Sequence, residues 1–317
     1  MNQTPDTDTD LLARIGLGQI RADEAARRRR AFRRAFPFIA PAVFFVVVFL
    51  LLPVLYNVWL SFAKWQRFAG WDQFAGLSNY TRLGGNPFFA QALQNTMIWV
   101  VASIVFPILF GLALALFFRR MPGQEVFKTI IFLPRILAPT AVGVMWFYVY
   151  APDGLLNRGL SGFTADPVRI GWLYSETTVT GAMIATFVWQ TCGLVMVLLL
   201  LGLSAIPKDP LEAARIDGAR PLQIFRHITL PLLAPTLVMV TILSVLAGFT
   251  VFDLIWVMGS SYPQQRTLSL AVFMYFEAFQ KSSWSFGAAV AVVIGLVVLV
   301  VTWAQTVWQA RVERKLR

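Results

Sequence analysis

The chain has a single cysteine, Cys192, and a single histidine, His227, in 317 residues. One thiol excludes an intrachain disulfide, and one imidazole beside it leaves no ligand set for zinc or haem. Cys192 reads as a small apolar residue packed within a span. Acidic side chains are scarce, 16 against 27 Lys and Arg, and charged residues of both signs make up only 14% of the chain. An ordinary globular domain carries about a quarter. No Gly-x-x-x-x-Gly-Lys-Ser/Thr segment occurs, so the chain has no phosphate loop with which to hydrolyse ATP itself. Nor do the few titratable residues cluster as a membrane-embedded enzyme requires.

What is present is apolar surface. Hydrophobic residues make up 57% of the chain and the mean hydropathy is +0.65. Long apolar runs lie at about 37–62, 92–118, 126–150, 178–202, 232–258 and 286–310. Each suffices for the roughly 20 residues a helix needs to cross a bilayer, and none shows the alternation of barrel strands. The reading is all-α: a polytopic membrane protein with six transmembrane helices. The first run is about twice the length of a signal-peptide core and keeps Pro41 and Pro53, so it is expected to remain as a span.

The net charge of +11 might suggest nucleic acid, but the basic residues follow the spans instead. Arg27, Arg28, Arg29, Arg30, Arg33 and Arg34 stop just before the first run. Arg119, Arg120, Lys128, Lys208, Arg215, Arg220, Arg226, Arg311, Arg314, Lys315 and Arg317 fall on the same side. The opposite side holds only Lys64, Arg67, Arg82, Arg158, Arg169, Arg266 and Lys281. Cytoplasmic loops carry this excess, so both termini are expected in the cytoplasm, with anionic lipid headgroups rather than nucleic acid as the partner. Residues 1–35 form a polar cytoplasmic extension ahead of the span domain 36–317. Leu11, Leu12, Ile15, Leu17 and Ile20 suit either a short amphipathic helix or disorder. Outer loops at about 63–91, 151–177 and 259–285 carry Trp65, Trp71, Tyr80, Trp172, Tyr174, Tyr262 and Trp284, mostly as interfacial anchors. No internal repeat is visible.

The loop 204–231 is polar and helix-capable between two apolar runs. Asp209 is expected to cap a short helix, with Pro210 at its first position and Glu212 completing a capping box. Ala213 and Ala214 favour helix, and Gly218 stops it. Pro221 opens a second short helix, and Pro231 marks the return to the membrane. The pair presents Leu211, Ile216, Leu222 and Phe225 outside the bilayer, where they need an apolar partner.

Glu212-Ala213-Ala214, Gly218 four residues on, and Ile228-Thr229-Leu230-Pro231 together resemble the signature of permease subunits of ABC importers. Gly76-Leu77-Ser78-Asn79-Tyr80, Asn95-Thr96, Leu133-Pro134, Gly154-Leu155-Leu156-Asn157, Trp189, Ala205-Ile206-Pro207, Asp217-Gly218-Ala219 and Phe252-Asp253 extend the likeness to all but the first 30 or so residues. They bring it nearest to the carbohydrate-uptake branch, the maltose and glycerol-3-phosphate type. The resemblance implies the type I importer permease fold and a cytoplasmic-membrane location in a bacterium or archaeon. It implies as partners a second permease, two ATPase subunits and an external solute-binding protein. ATP and magnesium would be used by the ATPase, with no cofactor on this chain. It assigns Glu212, Ala213, Ala214, Asp217, Gly218, Leu222 and Phe225 to the contact with the ATPase. An ungapped register from Trp189 to Phe252 carries the solute site onto Gln190, Thr191, Leu194, Ser244, Gly248 and Val251. Two departures are visible. Gly259-Ser260-Ser261-Tyr262-Pro263 stands where a Gly-Gly-Pro turn is common, and the end from Arg311 to Arg317 lacks the glycine-rich close of second permeases, which favours the first-permease type.

Polar residues inside spans serve either packing or function. Asp253 is read as a functional candidate or as a contact to the outer loops near the end of its span. Pro41, Pro53, Pro107, Pro134 and Pro139 are expected to kink their helices. The other reading of the chain is an ion-coupled secondary transporter, which needs paired carboxylates within the spans, and only Asp253 hints at one.

Overall fold

The computed structural model describes residues 27, 35–66, 70–119, 121–259 and 267–316. The extension 1–35, with the amphipathic stretch from Leu11 to Ile20, lies outside these except for residues 27 and 35, and so does Tyr262. The chain divides between Trp59 and Leu60 into two compact units.

The first long helix, α1 (Ala35–Ser61), is apolar throughout. Its π-helical turn Val47–Leu51 comes just ahead of Pro53, which has no N–H and whose ring would press on the carbonyl of Phe49 in regular winding. A feature absent from the all-α reading follows. Strands β1 (Ala63–Gln66) and β2 (Gly70–Phe74) pair antiparallel, with Ala63 opposite Phe74 and an irregularity between Lys64 and Gln66.

Helices α2 (Ser78–Gly84) and α3 (Pro87–Phe118) come next. The start of α3 is set by Asn86, whose side chain accepts hydrogen bonds from the amides of Phe88 and Phe89 while Pro87 takes the first helical position. The expected third span, 126–150, is not one helix. It is α4 (Gln124–Ile136) and α5 (Pro139–Val149), bent by 99°. Pro139 is the cause: the residue before a proline is driven from the helical region, and both Leu137 and Ala138 are extended.

The chain continues through α6 (Leu155–Ser161), α7 (Val179–Ser204) and α8 (Asp209–Ile216). Next, α9 (residues 221–250) contains a π-helical turn, Phe225–Thr229, and α10 (Asp253–Met258) follows a break at Val251. The last helices are α11 (Leu270–Gln280) and α12 (Trp284–Leu316). Among the described residues five helices are long and apolar enough to cross a membrane, or six with the bent pair counted as one span.

Within the second unit α3 packs along α7 and α9. The buried apolar residues form two main clusters. One holds Trp99, Met183, Phe187, Leu254, Ile255 and Phe273. The other, near the α8 end, holds Ala115, Val195, Met196, Leu199, Leu203, Leu211 and Leu233.

Three buried or half-buried asparagines tie the loops at the opposite end. Asn79 donates to the carbonyls of Ser61 and Ala63. Asn95 donates to the carbonyl of Leu268, and the neighbouring Thr96 hydroxyl accepts from the amide of Leu270. Asn157 donates to the carbonyls of Ala151, Pro152 and Ile170, and its oxygen accepts from the Trp172 indole at 2.9 Å. Each stands in a stretch that carries the family resemblance, and each closes backbone groups that water would otherwise have to satisfy.

Helices α3 and α9 approach closely at Gly248. A Cβ there would sit 2.7 Å from Val100 Cα and 2.6 Å from Ser103 Oγ, and the same crossing carries a hydrogen bond from Ser103 Oγ to Ser244 O at 2.8 Å. Replacing Gly248 with Val is therefore expected to force α3 and α9 apart. Overpacking of this kind costs about 1–3 kcal/mol. Loss of one hydrogen bond between membrane helices averages about 0.6 kcal/mol. Thermal unfolding of the solubilised protein should then show a larger drop in midpoint for Gly248→Val than for Ser103→Ala.

Candidate functional site

A cavity of about 320 Å³ opens between the two apolar clusters. That is at the lower end of the roughly 300–1,000 Å³ typical of small-molecule sites. Its walls come from four places. Helix α3 supplies Ser103 and Pro107, and the α4–α5 bend supplies Arg135 and Pro139. Helix α7 supplies Phe187, Gln190, Thr191, Leu194, Val195 and Leu198. Helix α9 and its break supply Val240, Leu243, Ser244, Ala247 and Thr250 through Leu254.

Five of the six residues expected at a solute site, Gln190, Thr191, Leu194, Ser244 and Val251, therefore share one cavity. Gly248 does not line it, because its face of α9 is pressed against Val100 and Ser103. Gln190 is only 3% exposed, and its amide nitrogen donates to Leu137 O at 3.1 Å. That bond satisfies a carbonyl in the unwound link between α4 and α5, so Gln190 holds the bend that shapes the cavity. Thr191 is likewise engaged, its hydroxyl donating to Phe187 O on the preceding turn.

Two lining residues lay outside the expected set. Arg135 falls in the last turn of α4, inside what reads as an apolar run, where a sequence reading by loops had no place for it. Asp253 is the first residue of α10, directly after the extended Val251. It lines the cavity. Neither makes a hydrogen bond or ion pair among the described residues. The signal for both was an ionisable residue inside an apolar run, a costly placement.

The polar loop forms a second feature, at the far end of α7 and α9. Helix α8 is present, but Asp209 does not cap it. Lys208 occupies the N-cap, its carbonyl accepting from Leu211 and Glu212 amides, and no side chain closes the end. Pro210 therefore stands second in the helix rather than first, a place in the first turn where its missing N–H breaks no helical hydrogen bond. Asp209 and Glu212 thus lie within that turn, where negative charge opposes the helix dipole favourably. Glu212 is exposed and makes no hydrogen bond or ion pair among the described residues.

The far end of α8 closes as a Schellman turn. The Gly218 amide bonds to Arg215 O at 3.1 Å and the Ala219 amide to Ala214 O at 3.0 Å, with Gly218 at φ +76°. The space around a Gly218 Cβ is open, so the requirement for glycine comes from the backbone angle alone. The second short helix is not separate. Residues from Pro221 run through the π-helical turn into α9 without a break, and Pro231 sits inside that run. A wide turn at Phe225–Thr229 suits Pro231, which would otherwise remove a helical hydrogen bond.

Leu211 is buried in the lower cluster, fastening α8 to α7 and α9. Outward, Ile216 is 86% exposed and Leu222 75%. Ala213 and Asp217 are exposed beside Glu212, with Ala214 and Phe225 half-buried. A groove of about 1,040 Å³ separates Leu211, Arg215, Leu222 and Phe225 from Leu116 and Arg119 at the end of α3.

Comparison with known proteins fits this arrangement. The chain is 32% identical over 283 residues to the lactose transport system permease protein of Rhizobium radiobacter, covering 88% of this chain and 94% of that one. It is 32% identical over 266 residues to the trehalose/maltose transport system permease protein of Thermococcus litoralis, covering 82% and 88%. In fold it resembles a chain of a bacterial ABC transporter involved in the import of the acidic polysaccharide alginate. The TM-score is 0.78 at 20% identity, covering 90% of this chain and 99% of that one. Residues 107–316 match the family described as the binding-protein-dependent transport system inner membrane component, and the chain belongs to that family of ABC transporter permeases.

Proposed function

We propose that this permease imports a carbohydrate or related polar solute through the cavity at the α4–α5 bend. An external binding protein would deliver the solute, and two ATPase subunits would power transport from the cytoplasm. A second permease completes the pathway, both termini lie in the cytoplasm, and ATP with magnesium is used only by the ATPase, this chain being no enzyme. The carbohydrate class is supported by the lactose and trehalose/maltose permeases it resembles.

The observation that carries the reading is the state of α8. It is fastened inward by Leu211 and capped at its end by the Gly218 turn, yet Glu212 makes no ion pair among the described residues and Ile216 and Leu222 are exposed. A self-contained helix with a free carboxylate and bare apolar side chains outside the bilayer is built to seat against another protein. Because residues 221–250 form one continuous helix, a push on the loop is transmitted along α9 to Val240, Leu243, Ser244 and Ala247 on the cavity wall. Closing of the ATPase pair would thereby tilt one wall against the α4–α5 bend, a rigid-body gating of the kind common in transporters.

Docking is tested by co-purification of the ATPase with variants of this chain. Glu212→Lys and Ile216→Asp should each lower the retained ATPase at least tenfold, while Asp209→Ala, which removes no cap, should leave retention unchanged. Unaltered retention in both Glu212→Lys and Ile216→Asp would remove α8 as the docking element. A bulky residue in the cavity gives the complementary result. Ser244→Trp should cut ATP-driven uptake into proteoliposomes at least tenfold with ATPase retention intact. Full uptake driven by a proton or sodium gradient in vesicles without ATP would overturn the ATP-driven reading.

A further inference from the structure

We propose that a wedge between α4 and α7 binds one anionic phospholipid of the cytoplasmic leaflet, with the lipid phosphate on Arg119 and Lys128 and an acyl chain on the apolar floor between the two helices.

The wedge follows from how the helices cross. At Gly193 α7 lies directly against α4: a Cβ there would overlap Ile131 O and fall 2.9 Å from Phe132 Cα. Toward the start of α4 and the end of α7 the helices leave a cleft of about 540 Å³ between them. Its lining is graded along its length. On α4, Gln124, Lys128 and Phe132 are four residues apart and share a face, as Val197, Leu200, Leu201 and Ser204 do on α7. Phe132, Val197 and the two leucines form the floor. Gln124, Lys128 and Ser204 form the mouth, where Arg119 at the end of α3 joins them. Phe118 stacks on Phe127 with ring centroids 5.9 Å apart, which holds the end of α3, and with it Arg119, beside α4. From Gln124 to Phe132 the cleft follows about 12 Å of helix, most of the roughly 15 Å of hydrocarbon in one leaflet.

Depth identifies the occupant. Phe118 and Ser204 are the last residues of two helices long and apolar enough to cross a membrane. The mouth therefore stands at headgroup level and the floor within the hydrocarbon. A soluble protein seated on α8 has no access to a floor at that depth, whereas a lipid reaches it by lateral diffusion. With this end of the second unit in the cytoplasm, as proposed above, the leaflet is the one whose anionic lipids attract Lys and Arg.

The mouth has donors to spare for a phosphate. The Thr129 and Ser204 hydroxyls are engaged with Glu125 O and Leu201 O. Arg119 is exposed and makes no ion pair among the described residues, and its guanidinium fork matches phosphate geometry. Lys128 meets Glu125 at 3.0 Å, but that carboxylate is 82% exposed, and so exposed a pair contributes little that a phosphate could not replace. The Lys128 side chain is itself only 21% exposed, its stem lying along the cleft as a lysine at a membrane interface does. Two cations above an apolar floor match an anionic amphiphile in both charge and order.

Native mass spectrometry of the solubilised permease–ATPase complex, titrated with phosphatidylglycerol or phosphatidylcholine of equal chain length, tests the site. Wild type should hold phosphatidylglycerol at least tenfold more tightly. Arg119→Gln combined with Lys128→Gln should lower phosphatidylglycerol affinity at least tenfold and leave phosphatidylcholine unchanged, while Leu201→Trp, which fills the floor, should lower both. Arg158→Gln, outside the cleft, should alter neither. Equal affinity of wild type for the two lipids, or undiminished phosphatidylglycerol binding in either cleft variant, overturns the proposal. So does displacement of the lipid by inorganic phosphate or by glycerophosphoglycerol, its deacylated headgroup, at matching concentration, which marks a phosphate site rather than a lipid site. A wild-type complex that holds no lipid because another subunit covers the cleft overturns it as well. If the double variant loses its ATPase, the wild-type comparison and Leu201→Trp decide.

Discussion

In a hydrocarbon environment a backbone amide or carbonyl has no water to turn to, and every interruption of a helix must be closed from within the protein. The architecture of this chain follows from how it meets that constraint. Regular winding is abandoned inside the apolar region at the α4–α5 bend and at Val251, and irregular backbone is tolerated at such depth only where protein or a cavity lines it. Gln190 closes Leu137 across the first break. Ser269 Oγ donates to Val251 O at 3.1 Å across the second. Both breaks open onto the same cavity, so the sites where the helical rule fails are also the sites where a polar solute can be held.

The same constraint explains why the polar residues of this protein divide so cleanly between two roles. Asn79, Asn95, Thr96 and Asn157 are consumed in closing loop carbonyls and amides at one end of the second unit. They are rigidifying groups, and their satisfied state leaves nothing to offer a ligand. Glu212, Arg135 and Asp253 differ in being exposed and in making no hydrogen bond or ion pair among the described residues, so each keeps its hydrogen-bonding capacity for water or for another molecule.

Much of this was legible beforehand. Six apolar runs of sufficient length found the long apolar helices, because spanning length is a property of composition, although the fifth helix begins at Pro221, well ahead of the run at 232, and the third is a bent pair. Helix α8 and the stop at Gly218 were legible because alanine content and a left-handed glycine are local signals. What failed was not local. The capping box at Asp209 looked right by spacing, but the helix starts one residue earlier, with Lys208 at the N-cap and no side chain closing it. The third span looked like one run with kinks expected at Pro134 and Pro139, and the interruption at Pro139 is a 99° bend between two helices, larger than a kink within one. The hairpin β1–β2 has strands of only four and five residues, and no alternating pattern long enough to announce it.

The residues expected at a solute site show the limit most clearly. A register carried across from Trp189 to Phe252 brought five residues to the cavity and one, Gly248, to a helix crossing, since neighbouring positions on one helix can face opposite neighbours. It missed Arg135 because that residue belongs to another span, brought to the cavity by a 99° bend that no linear register contains. Asp253 was visible, as a functional candidate or an outer-loop contact, and the break at Val251 places it at the head of a new helix on the cavity wall. Depth and facing both depend on bends that arise only in three dimensions, so a charge within an apolar run is visible in the sequence while the surface it lines is not.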